Sequence, residues 1–184
     1  MNSHSDTRLA VIGLGYVGLP LAVAFAGRFD TVGFDINTSR IDELKEGADQ
    51  TGEISESELA DASHLRLTAD EKALADRNIY VVTVPTPIDR HNQPDLQALK
   101  SASSLVARHL KKGNLVIYES TVYPGATEEI CVPILEAGSG LTLNDDFHVG
   151  YSPERINPGD KTHRLAKILK VTSGSNPQAA KMVD

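Results

Sequence analysis

Gly13-Leu14-Gly15-Tyr16-Val17-Gly18 follows directly on the apolar run Leu9-Ala10-Val11-Ile12. A glycine turn of this spacing, set between a short buried strand and a helix, is the phosphate-gripping element of dinucleotide-binding sheets. Each glycine has a task. Gly13 permits the tight turn, Gly15 lets the backbone approach a pyrophosphate, and Gly18 lets the helix pack close to the sheet. The free N–H groups at the helix start, around Tyr16 and Val17, and the partial positive charge there hold the phosphates. A second strand, Thr31-Val32-Gly33-Phe34-Asp35, ends in an acid 20 residues beyond Gly15. A carboxylate at that point accepts hydrogen bonds from the adenosine ribose hydroxyls and repels a 2′-phosphate, which favours NAD over NADP. Two readings stand for Arg40: it accommodates such a phosphate, or it covers the adenine edge.

The rest of the chain repeats the alternation of strand and helix. Residues 16–28, 38–46, 95–110 and 124–137 read as helices, and 55–60 as a short one. Residues 65–68, 79–84, 115–118 and 147–150 read as strands, and 168–171 as an extended segment. Asp95 is placed to cap its helix and Gly113 to close it. Pro85 and Pro87 end the strand at 79–84, since proline cannot donate to a ladder. Such alternation implies an α/β fold: a Rossmann-like, doubly wound, mainly parallel sheet with helices on both faces. Val, Ile, Leu and Ala must fill its core, because aromatics make up 5% of the chain and Trp is absent.

A length of 184 residues suits one domain, here 1–184. The net charge of -7 argues against a nucleic-acid surface. No apolar run reaches the roughly 18 residues needed to span a bilayer. The single cysteine, Cys131, excludes an internal disulfide and reads as a small core hydrophobe. The six histidines lie far apart and make no metal-ligand spacing. The acidic stretch 42–61 reads as a solvated face. A cytoplasmic location is the default for such a chain.

Ligands of open α/β sheets sit beyond the carboxyl ends of the strands. Those ends are Thr83-Val84-Pro85-Thr86-Pro87, Glu119-Ser120-Thr121 and Ser152-Pro153-Glu154-Arg155. Each has a plainer reading. Thr86 serves a turn between prolines, Ser120 and Thr121 cap the following helix, and Glu154 faces water. Gathered at the edge that carries the glycine turn, they favour a site.

Taken together, these motifs resemble the UDP-glucose/GDP-mannose dehydrogenase family. The match is carried by Gly13 to Pro20, Val84-Pro85-Thr86-Pro87, Ser120-Thr121-Val122 with Pro124-Gly125, and Ser152-Pro153-Glu154. It covers the chain from about Arg8 onward. Residues 118–125 and 151–160 point to the UDP-N-acetylhexosamine 6-dehydrogenases of surface-polysaccharide synthesis, of the Vi-antigen type. The resemblance implies oxidation of the C6 alcohol of a UDP-sugar to a carboxylate by two NAD molecules in turn, through a cysteine-bound thioester. It gives Gly13, Gly15, Tyr16, Val17, Gly18, Asp35, Arg40, Thr86 and Thr121 to the cofactor. Thr121 also places a water for proton transfer, and Glu154 assists thioester hydrolysis. Glu154, Arg155 and Asn157 face the substrate.

Two departures qualify the match. Pro158 stands where UDP-glucose dehydrogenases carry a second glutamate, which disfavours UDP-glucose. Cys131 does not match the family's nucleophile. The central helix that builds the family's homo-oligomer, and the UDP-binding domain beyond it, are expected to lie past this sequence, so a fragment inactive by itself is expected. UDP-glucose or UDP-N-acetylmannosamine oxidation, and a non-catalytic NAD-binding module, are the alternatives. The segment 152–155 speaks against a 2-hydroxy-acid dehydrogenase.

Overall fold

A computed structural model describes residues 6–155 and 169–184. Strand β1 (Arg8–Ile12) shows why the sheet must be covered on both sides. Its side chains alternate between faces. Ala10 and Ile12 enter one apolar layer and Leu9 and Val11 the other. Helix α1 (Gly18–Ala26), strand β2 (Asp30–Phe34) and helix α2 (Thr38–Lys45) follow. Then come α3 (Glu56–Asp61), β3 (Leu65–Thr68), a 3₁₀ turn at Glu71–Leu74, and β4 (Ile79–Val82). The chain continues through α4 (Gln97–Ala107), β5 (Leu115–Tyr118), a wide π-type turn at Thr127–Cys131, and α5 (Val132–Ser139). It ends with β6 (His148–Tyr151), β7 (Ser173–Gly174) and α6 (Pro177–Val183).

The described strands form one sheet in the order β3-β2-β1-β4-β5-β6-β7. All neighbours pair in parallel except β6 and β7. Leu19, Leu21 and Ala22 of α1 and Ile41 and Leu44 of α2 pack on one face. Leu99, Ala102 and Leu105 of α4 and Val132 and Leu135 of α5 pack on the other. The winding direction reverses between β1 and β4, and the crevice of a doubly wound sheet opens at such a point.

Two buried tyrosine hydroxyls in the layer under α4 and α5 are met locally. The Tyr80 hydroxyl lies 3.0–3.2 Å from the carbonyls of Leu74, Arg77 and His109, and burial pushes its pKa up to about 12. Ser103 donates to Leu99 O, which leaves its oxygen to accept from the Tyr118 hydroxyl at 2.7 Å. Burial likewise raises the Cys131 thiol, which lies in this layer as a core side chain.

Several boundaries differ from expectation. Helix α1 starts two residues late, because Tyr16 and Val17 belong to the glycine turn. Asp95 accepts from Gln97 N at 2.9 Å, but the residue flanking α4 is Leu96. Residues 124 and 125 form a turn before the helical region, and α5 runs on to Ser139. Extended pairing near the end begins at Ser173 rather than within 168–171, where Ile168 lies outside the described residues. The stretch 42–61 is not solvated throughout, since the Asp49 side chain is 1% exposed.

Candidate cofactor site

The glycine turn is tied down from three sides. Gly13 has φ +95°, a left-handed conformation open to glycine, and its N–H donates to Phe34 O at 2.8 Å. The Thr83 hydroxyl at the end of β4 lies 2.7 Å from Gly13 O and 3.0 Å from Ile12 O. A Cβ on Gly18 would overlap both the Gly13 carbonyl and that hydroxyl. Gly15 is different, because a Cβ there meets nothing within 4 Å. Its missing side chain leaves that space open. In the first turn of α1, Leu19 N donates to Gly15 O at 3.1 Å and Leu21 N to Val17 O at 3.3 Å, and Pro20 has no N–H.

Asp35 joins the turn to the end of β2. One carboxylate oxygen accepts from Leu14 N at 2.8 Å and the other from Asn37 N at 2.9 Å. Each oxygen keeps further acceptor capacity for a ribose hydroxyl. Arg40 approaches the same turn from behind. Its Nε donates to Leu14 O at 3.1 Å, and its terminal nitrogens bind Glu43 at 3.0 Å and Asp49 at 2.6 Å.

A cleft of about 1340 Å³ runs along this edge. It exceeds the roughly 300–1,000 Å³ of ordinary ligand pockets, as an extended dinucleotide requires. Gly13, Gly15, Tyr16, Val17, Asp35, Thr86, Thr121 and Glu154 all line it. Helix α4, with Ala98, Ser101 and Leu105, lines another part of it. Thr86 donates to Thr121 O at 2.5 Å and Ser120 donates to Val84 O at 2.7 Å, so the ends of β4 and β5 are laced together. Ser120 and Thr121 therefore do not cap a helix; the next helical turn begins at Thr127.

Other residues fall elsewhere. Gly18 lies behind the turn, and the Arg40 side chain is turned toward its carboxylates. Arg155 is exposed and donates to Leu169 O at 2.8 Å. Asn157 and Pro158 lie outside the described residues. Sequence reasoning missed the lock made by Thr83, although a hydroxyl ending an otherwise apolar strand was a visible signal. It also missed the buried pair of Glu119, in the cleft wall, with Lys170, whose ammonium burial pushes down to about 8. Nothing in the local sequence marks those two as neighbours.

This turn, acid and cleft at the switch point of a doubly wound sheet define a Rossmann-type dinucleotide-binding domain. Residues 7–184 match the model of the UDP-glucose/GDP-mannose dehydrogenase family, NAD binding domain. The chain belongs to that family, as its NAD-binding domain. It is 60% identical over 179 residues to the UDP-N-acetyl-D-glucosamine 6-dehydrogenase of Pseudomonas aeruginosa, and 55% identical over 179 residues to that of Salmonella typhi. Each match covers 97% of this chain and 42% of the relative. The chain thus spans less than half the length of these relatives. The solved structure of UDP-D-ManNAc dehydrogenase from Pyrococcus horikoshii is similar, with TM-score 0.86 and 34% identity over 96% of this chain and 43% of that one. Among the described residues no helix is long and apolar enough to cross a membrane.

Proposed function

We propose that this chain is the cofactor half of an NAD-dependent 6-dehydrogenase acting on a UDP-N-acetylhexosamine, of the UDP-N-acetyl-D-glucosamine type. The observation that carries the cofactor side is the open space at Gly15, facing a cleft that Asp35 borders. The substrate side rests on similarity. Identities of 60% and 55% to UDP-N-acetyl-D-glucosamine 6-dehydrogenases stand against 34% to the UDP-D-ManNAc enzyme. Pro158, in place of a second glutamate, weighs against UDP-glucose.

When bound, NAD supplies the hydride acceptor. Gly13, Gly15, Tyr16 and Val17 cradle its pyrophosphate and Asp35 holds the adenosine ribose. Arg40 bears on that end through the Leu14 carbonyl. Thr86 and Thr121 border the nicotinamide end, and Thr121 orients the water that carries off the alcohol proton. Glu154, half-buried at the cleft, acts as base toward the water that releases the acid product. Arg155 and Asn157 are assigned to the sugar by the family resemblance alone. The nucleophile comes from beyond these residues, since Cys131 is 1% exposed and does not line the cleft. A single unpaired cysteine fits the cytoplasm, and the complete enzyme is a homo-oligomer.

The test uses the complete enzyme with NAD and each UDP-sugar, following NADH. Two NADH per UDP-N-acetylglucosamine, formed faster than from UDP-N-acetylmannosamine or UDP-glucose, is the expected result. A preference for another UDP-sugar would move the substrate assignment, and silence with all three would overturn it.

A further inference from the structure

Arg40 is the cation beside the ribose-binding acid, at the position where a guanidinium accommodates the 2′-phosphate of NADP in related folds. Here that guanidinium is spoken for. Nε is held by Leu14 O, one terminal nitrogen by Glu43 and the other by Asp49. The Arg40 side chain is 11% exposed and that of Asp49 is 1% exposed. Asp49 is itself fixed. Its oxygens accept from the backbone N–H groups of Thr51, Glu53 and Ile54 and from the Thr51 hydroxyl. Such a carboxylate cannot swing away to release its partner. Two carboxylates against one guanidinium leave the rear of the glycine turn negative rather than positive.

We propose that Asp49 is a specificity-determining residue. By binding and neutralising Arg40, it denies a 2′-phosphate the cation it needs beside Asp35. The inference rests on the cofactor reading above. Selectivity for NAD then has two parts: repulsion by Asp35, and sequestration of Arg40 by a residue that never touches the coenzyme.

Titration calorimetry of the chain with NAD and with NADP tests this. The wild-type chain is expected to favour NAD. Asp49→Asn raises the affinity for NADP relative to NAD by about tenfold, the worth of one charge-assisted contact. Adding Glu43→Gln raises the ratio further, and adding Arg40→Met cancels the gain. An unchanged ratio in folded Asp49→Asn, or a gain that survives Arg40→Met, overturns the proposal. If Asp49→Asn does not fold, Glu43→Gln alone decides: a shift of about threefold in the same direction supports it, and no shift refutes it. Absence of NAD binding in the wild-type chain would appear before any substitution, and would strike the cofactor reading itself.

Discussion

Asp49 keeps 1% of its side chain exposed, so its charge must be met from within the protein. Burial by itself would raise its carboxyl. The Arg40 guanidinium, with hydrogen bonds from Ile54 and Thr51, outweighs that and holds it below the ordinary 3.8. The sign of the pH effect follows. A carboxyl with a depressed folded-state pKa stabilises the fold above 3.8, and that contribution is lost as pH falls from there through the lower folded value. Acid unfolding of the wild-type chain is therefore expected to steepen below that point. Asp49→Asn should be less stable at neutral pH and flatter in acid. Chemical denaturation at a series of pH values reads both, and parallel profiles for the two proteins would refute the assignment. Asp35 was legible in the sequence because it ends a strand at a fixed distance from the glycines. Asp49 was not, because its role arises from Arg40 and from three N–H groups of a folded loop.

At the scale of the element, the strand-turn-helix unit separates two uses of glycine. Gly18→Ala would drive a methyl into the Gly13 carbonyl and the Thr83 hydroxyl. Backbone must move, at a cost of about 1–3 kcal/mol, and NAD affinity should fall with stability. Gly15→Ala meets nothing within 4 Å. Stability should stay within about 0.5 kcal/mol of wild type, while NAD affinity falls at least about tenfold because the methyl occupies the pyrophosphate's approach. Thermal melts beside NAD titrations distinguish the two. A Gly15→Ala chain that binds NAD normally would remove the phosphate from this turn. The contrast also explains what could be read beforehand. The motif and the β-branched runs of β1, β4 and β5 carry their own period and were placed within a residue or two. The π-type turn at Thr127–Cys131 and the two-residue strand β7 carry no period of their own. The pairing of Gly150 with Gly174 and of Tyr151 with Ser173 defines β7.

For the molecule as a whole, the cofactor cleft and the chemistry it serves are separable. Walls of the cleft come from the ends of β1, β2, β4 and β5, from α4, and from Glu154 beyond β6, so an NAD site can form within this chain. Its one cysteine is buried with a raised thiol, away from the cleft. Binding without turnover is thus the expected behaviour of these 184 residues. A ligand held only by the folded state at about 100 times its Kd adds about 2.7 kcal/mol. For a chain of this size that raises Tm by roughly 5–10 °C. NAD should produce such a rise, and NAD with UDP-N-acetylglucosamine should produce no NADH. NADH formed by the chain alone would show that oxidation does not need a nucleophile from elsewhere. A folded chain whose Tm ignores NAD would count against the cofactor reading of this cleft.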